Sequence, residues 1–170
     1  LRFALSVDDG SEVDLSGAGS EDYESALAGA SHARDFPERS PDDLFVLYTG
    51  GTTGMPKGVM WRQEDLFFSG LLGANPAGAP PERPEEVAER VAAGTPHAAM
   101  TAAPLIHGAA QLGTWIALLQ GWKACLAPRF EPHAIWQTVQ DEKVLTLSIV
   151  GDAMARPLAE ALEERSYDLS

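Results

Sequence analysis

Leu44-Phe45-Val46-Leu47-Tyr48 leads into Thr49-Gly50-Gly51-Thr52-Thr53-Gly54-Met55-Pro56-Lys57-Gly58, and Val59-Met60-Trp61 leads out. The flanks are apolar and rich in β-formers, so each reads as an extended strand. The loop between them cannot build a core. Glycine loses much conformational freedom on folding, so a cluster of it needs a local reason. Access supplies one: without Cβ atoms, backbone N–H groups can converge on a single anion. The threonine hydroxyls add donors and Lys57 adds a compact positive charge. The loop at 48–58 therefore reads as a cradle for a polyphosphate.

Two common phosphate motifs do not fit. A Walker A loop needs Gly-Lys-Ser/Thr at the mouth of a helix, whereas Pro56 precedes Lys57 and Gly58 follows it. A dinucleotide fingerprint counted from Gly50 needs glycine where Thr52 stands. After Lys57 the pattern is a strand, so loop amides and side chains must supply the donors without a helix dipole. The run Thr49 to Gly58 closely resembles the phosphate-binding signature of the adenylate-forming superfamily, which includes acyl-CoA synthetases, peptide-synthetase adenylation domains and luciferases. Its usual form is Thr-Ser-Gly-Thr-Thr-Gly-x-Pro-Lys-Gly, and only Gly50, in place of serine, departs from it. The resemblance implies that Thr49, Gly50, Gly51, Thr52, Thr53, Gly54 and Lys57 bind the outer phosphates of ATP with Mg²⁺. The rival reading of the loop is a Gly-rich hairpin turn.

Outward from the loop, strands and helices alternate. On the N-terminal side the pattern predicts a strand over 1–7 and a helix capped by Ser20 and running to about Ala30. A polar loop follows at 31–43. Its acidic pair, Asp42-Asp43, reads as solvated rather than metal-binding. On the C-terminal side a helix starts near Gln63, with Leu66, Phe67, Gly70 and Leu71 on one face. Residues 73–83 read as an exposed loop and 84–93 as a short helix stopped by Gly94, so 73–97 is expected to be a surface insertion. Then come a strand at 98–103, a turn at 104–108, a helix at 109–120, a strand at 123–127 and a helix opened by Pro132. Val144 to Val150 is nearly all apolar, as a central parallel strand would be. A last helix covers 153–164, with Pro157 tolerable only near its start. Alternation of this kind predicts an α/β fold: three layers, α/β/α, around a mostly parallel sheet. The resemblance implies a partial adenylate-forming N-terminal domain.

His107 lies just past the strand at 98–103, at the sheet edge where ligands of open α/β sheets gather. On the residues alone, a packing or hydrogen-bonded histidine is the simpler reading. Pro104-Leu105-Ile106-His107 also resembles the motif lining the acyl pocket of acyl-CoA synthetases, which implies that His107 borders the carboxylate end of the substrate. It need not be a general base, because a carboxylate nucleophile is already ionised. His32, His97 and His133 lack metal-ligand spacing, and no metal ligand is assigned. Trp61, Trp115, Trp122 and Trp136 read as core or core-edge aromatics.

The 170 residues carry a net charge of −13, which argues against nucleic-acid or anionic-membrane partners. No apolar run is long enough for a membrane span. The single cysteine, Cys125, sits among Ala124, Leu126 and Ala127 and reads as buried; it fits a reducing, cytoplasmic setting. The chain opens on Leu1, without Met or a signal peptide, and is expected to be a piece of a longer protein. The resemblance implies an ATP-dependent acyl-CoA synthetase acting on a fatty or other apolar carboxylic acid, with ATP, Mg²⁺ and coenzyme A. The family's adenine-binding segment, magnesium-holding glutamate, ribose-binding aspartate, hinge and C-terminal lysine lie beyond the Tyr167-Asp168-Leu169-Ser170 lead-in. No catalytic set is complete here, so the isolated chain should be inactive and prone to self-association. The alternatives are an adenylation domain that loads a carrier protein and a non-catalytic nucleotide- or phosphate-binding module.

Overall fold

The computed structural model describes residues 4–8, 10, 13, 17, 19–50, 54–83 and 85–170. Two compact units divide between Glu38 and Arg39. In the first, β1 (Leu5–Ser6) pairs in parallel with β2 (Glu21–Asp22), which runs into α1 (Tyr23–Gly29). The expected cap at Ser20 is corrected: Asp22 accepts from Ser25 N at 2.8 Å and caps the helix. Strand pairing takes Glu21 and Asp22, so the helix cannot begin at Ser20. The expected strand over 1–7 is seen at Leu5–Ser6, and residues 1–3 lie outside the described set.

The second unit holds the two runs that flank the glycine-rich loop. They form β3 (Leu44–Thr49) and β4 (Lys57–Arg62), paired antiparallel from Leu44↔Arg62 to Thr49↔Lys57. At the far end of this hairpin, Arg62 Nε donates to Asp42 at 2.6 Å, and its other nitrogens reach Glu64 and Asp65. Asp42 is thus an ion-pair partner. Asp43 accepts from Ser40 N at 3.0 Å.

β5 (Ala98–Thr101), β6 (Lys123–Leu126) and β7 (Val144–Ser148) make a parallel sheet in the order β6-β5-β7. β5 is the central strand, which corrects the expectation for Val144–Val150. β7 ends at Ser148, and its Leu145 is 60% exposed, so its apolar run serves an open edge here. Helices cover both faces. On one, α5 (Pro132–Glu142) and α6 (Asp152–Glu164) bury Ile135, Val139 and Leu158 against Ala98, Met100, Ala102 and Cys125. On the other, α4 (Gly108–Leu119) places Thr114 Oγ1 at 3.1 Å from Thr101 Oγ1, a buried contact that fixes helix to strand. The three-layer α/β expectation holds for this unit. Burial raises the Cys125 thiol pKa and leaves it a packing residue.

Several local expectations change. α6 continues through Pro157, which lies well inside it, because Leu158 and Ala161 anchor the following turn in the core. The helix expected near Gln63 is only the short α2 (Gln63–Asp65) before it widens into a π-helical turn over Leu66–Gly70. A left-handed run, Leu72, Gly73 and Ala74, follows at φ 55°, 58° and 55°. Within the span expected to be an exposed loop, Gly73, Ala74 and Pro81 are buried. Gly73 fits because a Cβ there would lie 2.6 Å from Pro80 Cβ. Arg90 of α3 (Glu85–Ala93) donates to Ala74 O at 2.9 Å and ties the turn down.

Candidate functional site

The β3–β4 ladder closes at Thr49↔Lys57, directly below the glycine-rich loop. Thr49 Oγ1 donates across this neck to Lys57 O at 3.4 Å, so its hydroxyl proton is held within the hairpin. Gly50 is exposed, with open space where a Cβ would project. Gly54 has φ +130°, a conformation closed to most other residues. Gly51, Thr52 and Thr53 lie outside the described residues. Lys57 is exposed, and its ammonium has no ion-pair or hydrogen-bond partner among the described residues. Most other cations of this unit are occupied: Arg62, Arg83, Lys123, Lys143 and Arg156 all meet carboxylates. A lone ammonium at a glycine-rich hairpin mouth suits an anion supplied from outside.

The second sequence signal comes to the same end of the hairpin. The β5–α4 turn is fixed by His107 N donating to Pro104 O at 3.0 Å, and His107 O then accepts from Gln111 N at 3.0 Å to start α4. His107 holds the N-cap position without capping through its side chain. The imidazole is exposed, which removes the sealed-core reading for this residue. Gly108 explains how the turn meets the hairpin: a Cβ there would lie 2.5 Å from Leu47 Cδ2. Leu47 precedes Thr49 by two residues, about 7 Å along the strand. Further along the seam, Phe45 and Trp115 meet edge-on at 5.3 Å between ring centroids. β3 thus packs along the start and middle of α4, the helix that the His107 turn opens.

Gly108 and Gln111 were not singled out in the sequence. Gly108 matters only through Leu47, sixty-one positions away in the chain, and no local pattern carries that contact. Gln111 Oε1 is buried without a partner one turn past His107, a fact that the i, i+4 spacing could have flagged. Two of the other three histidines have structural partners: His97 packs edge-on against Trp122, and His133 lies between Tyr167 Oη (2.8 Å) and Glu164 (3.1 Å), while His32 is exposed. All four tryptophans are half-buried, as core-edge aromatics. Among the described residues no cluster of His, Cys, Asp and Glu could hold a metal ion.

A glycine-rich hairpin joined to a three-layer α/β unit is the class of fold defined here, and comparison places it in a family. Residues 4–170 match the family of AMP-binding enzymes, and the chain belongs to that family. It is 44% identical over 178 residues to a medium/long-chain-fatty-acid–CoA/3-oxocholest-4-en-26-oate–CoA ligase of Mycolicibacterium smegmatis, across 100% of this chain and 32% of that protein. It is 42% identical over 179 residues to a 3-oxocholest-4-en-26-oate–CoA ligase of Rhodococcus rhodochrous, again across 100% of this chain and 32% of that protein. The chain spans about a third of the length of these curated relatives. Among solved structures, the N-terminal domain of FACL13 from Mycobacterium tuberculosis superposes with a TM-score of 0.65 at 22% identity, over 86% of this chain and 33% of that one. A red-emitting luciferase of Phrixothrix hirtus gives 0.65 at 20% identity, over 100% of this chain and 31% of that one. These two likenesses concern the fold.

Proposed function

We propose that residues 1–170 form the phosphate-binding and acyl-facing part of a longer ATP-dependent acyl-CoA synthetase for fatty or other apolar carboxylic acids. The observation that carries this reading is the Lys57 ammonium, without a partner among the described residues, at the mouth of a hairpin whose Leu47 packs against Gly108 of the His107 turn. The named activity of the curated relatives supports it. In the reaction, the acid's carboxylate attacks the α-phosphorus of ATP and pyrophosphate leaves. The thiol of coenzyme A then attacks the acyl carbon and displaces AMP. Amides of Gly50, Gly51 and Gly54, the hydroxyls of Thr52 and Thr53, and Lys57 hold the β- and γ-phosphates as charge moves onto the leaving group. Thr49 closes the neck and contributes through its backbone. His107 borders the carboxylate.

Mg²⁺ would neutralise phosphate charge; among the described residues no cluster of His, Cys, Asp and Glu offers it a ligand set. Residues 73–97 serve as an insertion anchored inward by Gly73, Ala74 and Pro81. The protein acts in the cytoplasm; no described helix is long and apolar enough to cross a membrane. The test is CoA-thioester formation by the full-length protein with ATP and a panel of fatty acids. Acid-dependent AMP and thioester release is expected. Acyl-adenylate without thioester would transfer the reading to a carrier-protein acceptor, and nucleotide binding without turnover would leave a non-catalytic module.

A further inference from the structure

Gln111 keeps a buried acceptor empty. Its Oε1 is shielded from solvent and receives no hydrogen bond. Buried polar atoms are paired in the great majority of folds, because an unmade bond leaves the loss of water uncompensated. The helix itself does not require the residue. Gln111 N donates to His107 O at 3.0 Å whatever the side chain, and leucine would propagate α4 as well as glutamine does. Other polar side chains along this helix are satisfied. Thr114 Oγ1 donates to Ala110 O at 2.9 Å and meets Thr101 Oγ1 at 3.1 Å, and Gln120 Nε2 donates to Ile116 O at 3.4 Å.

A donor without an acceptor stands one turn away. The bond between the backbones of His107 and Gln111 sets helical register, so their Cβ atoms lie about 5–6 Å apart on one face. Trp115, a turn further along that face, packs on Phe45 and anchors it against β3. The His107 imidazole is exposed, makes no capping bond and has no hydrogen-bond or ion-pair partner among the described residues. A neutral imidazole always carries one N–H, and turning the ring about its side-chain torsions directs it at Gln111.

We propose that Gln111 is the positioning residue for His107. When the acid binds, the imidazole turns inward and donates one N–H to Gln111 Oε1. The ring is then held at a fixed angle, with its other nitrogen toward the carboxylate, directly as an N–H or through a water that donates to both. The empty acceptor of the free protein is the counterpart of a bond made only with acid bound. The proposal rests on the reading that His107 borders the carboxylate.

In the full-length protein, Gln111→Met keeps most of the side-chain volume and removes the acceptor. It should raise KM for dodecanoate about fivefold, the worth of one hydrogen bond, and leave KM for ATP within about twofold. Its melting temperature should equal or exceed that of the wild type, since the free protein loses no bond. The decisive comparison is a double-mutant cycle: on a His107→Ala background, Gln111→Met should change KM for dodecanoate by less than about twofold. Full additivity, no change in either KM, or equal increases in both with a lowered melting temperature would overturn the proposal. If the wild type does not turn over dodecanoate, or His107→Ala alone leaves its KM unchanged, the underlying reading falls by itself. The ring ¹⁵N resonances of His107, in dodecanoate-saturated protein labelled at histidine, then decide the bond. A shift between wild type and Gln111→Met supports it, and coincident resonances overturn it.

Discussion

Lys57 carries the one formal charge described at the mouth of the loop, and the protein around it carries −13 overall. Removing that charge should therefore act on the nucleotide and spare the fold. Lys57→Ala in the full-length protein should cost about 1.5–3 kcal/mol in ATP use, on the order of ten- to a hundredfold in kcat/KM. Unchanged kinetics with ATP would remove Lys57 from the site. If the imidazole borders the carboxylate as proposed, His107→Ala should raise KM for the acid more than KM for ATP; a change confined to ATP would contradict that proposal. Lys57 and its glycines were legible because their run is contiguous and chemically odd. Gly108 was not, since its requirement comes from Leu47 on another element. Gly73 was hidden for the same reason, its neighbour being Pro80 across a folded-back turn.

The helices and parallel strands were legible from alternation and caps: Pro132 opens α5, and Glu131 accepts from His133 N and Ala134 N at its start. Strand order was not, because an apolar run such as Val144–Val150 reads alike at a centre and at an edge awaiting cover. The π-helical turn also escaped, since Leu66, Phe67, Gly70 and Leu71 keep helical spacing while the hydrogen bonds shift by one residue. Gly73→Ala tests that turn. A Cβ in left-handed backbone and against Pro80 should destabilise by about 2–4 kcal/mol in urea unfolding; a loss under about half a kcal/mol would deny the contact. A second element-level prediction concerns the segment after α6. Asp168 accepts from Ser170 and pairs with Lys143 at the end of α5, while Asp168 N donates to Gln140. The Ser170 hydroxyl, then Lys143, hold the Asp168 carboxyl well below the usual carboxylate range. A pKa depressed in the folded state contributes stability above the unfolded value near 4 and loses it as pH falls below that. The stability difference between wild type and Asp168→Asn should therefore shrink from pH 7 to pH 3, and salt should reduce it because the pair is exposed. A pH-independent difference would contradict it.

At the scale of the molecule, large apolar side chains face solvent: Met55, Ile106 and Leu145 are 85%, 80% and 60% exposed. Such a surface invites cover, so the isolated 170 residues should self-associate, which sedimentation would register as oligomers; a clean monomer would show the surface to be tolerated. The isolated chain should also fail to catalyse. On the proposed reading its loop serves the outer phosphates, while stabilisation must be aimed at the atoms where charge develops. The sequence carries this expectation in one motif; which apolar side chains stay exposed was not legible there, because it depends on contacts between distant residues. The most direct measurement is fatty-acid-dependent ATP–pyrophosphate exchange, run side by side on the full-length protein and on residues 1–170 alone. The account predicts robust exchange by the first and none by the second. Exchange by the isolated chain, or its absence from the full-length protein with every acid tried, would contradict it.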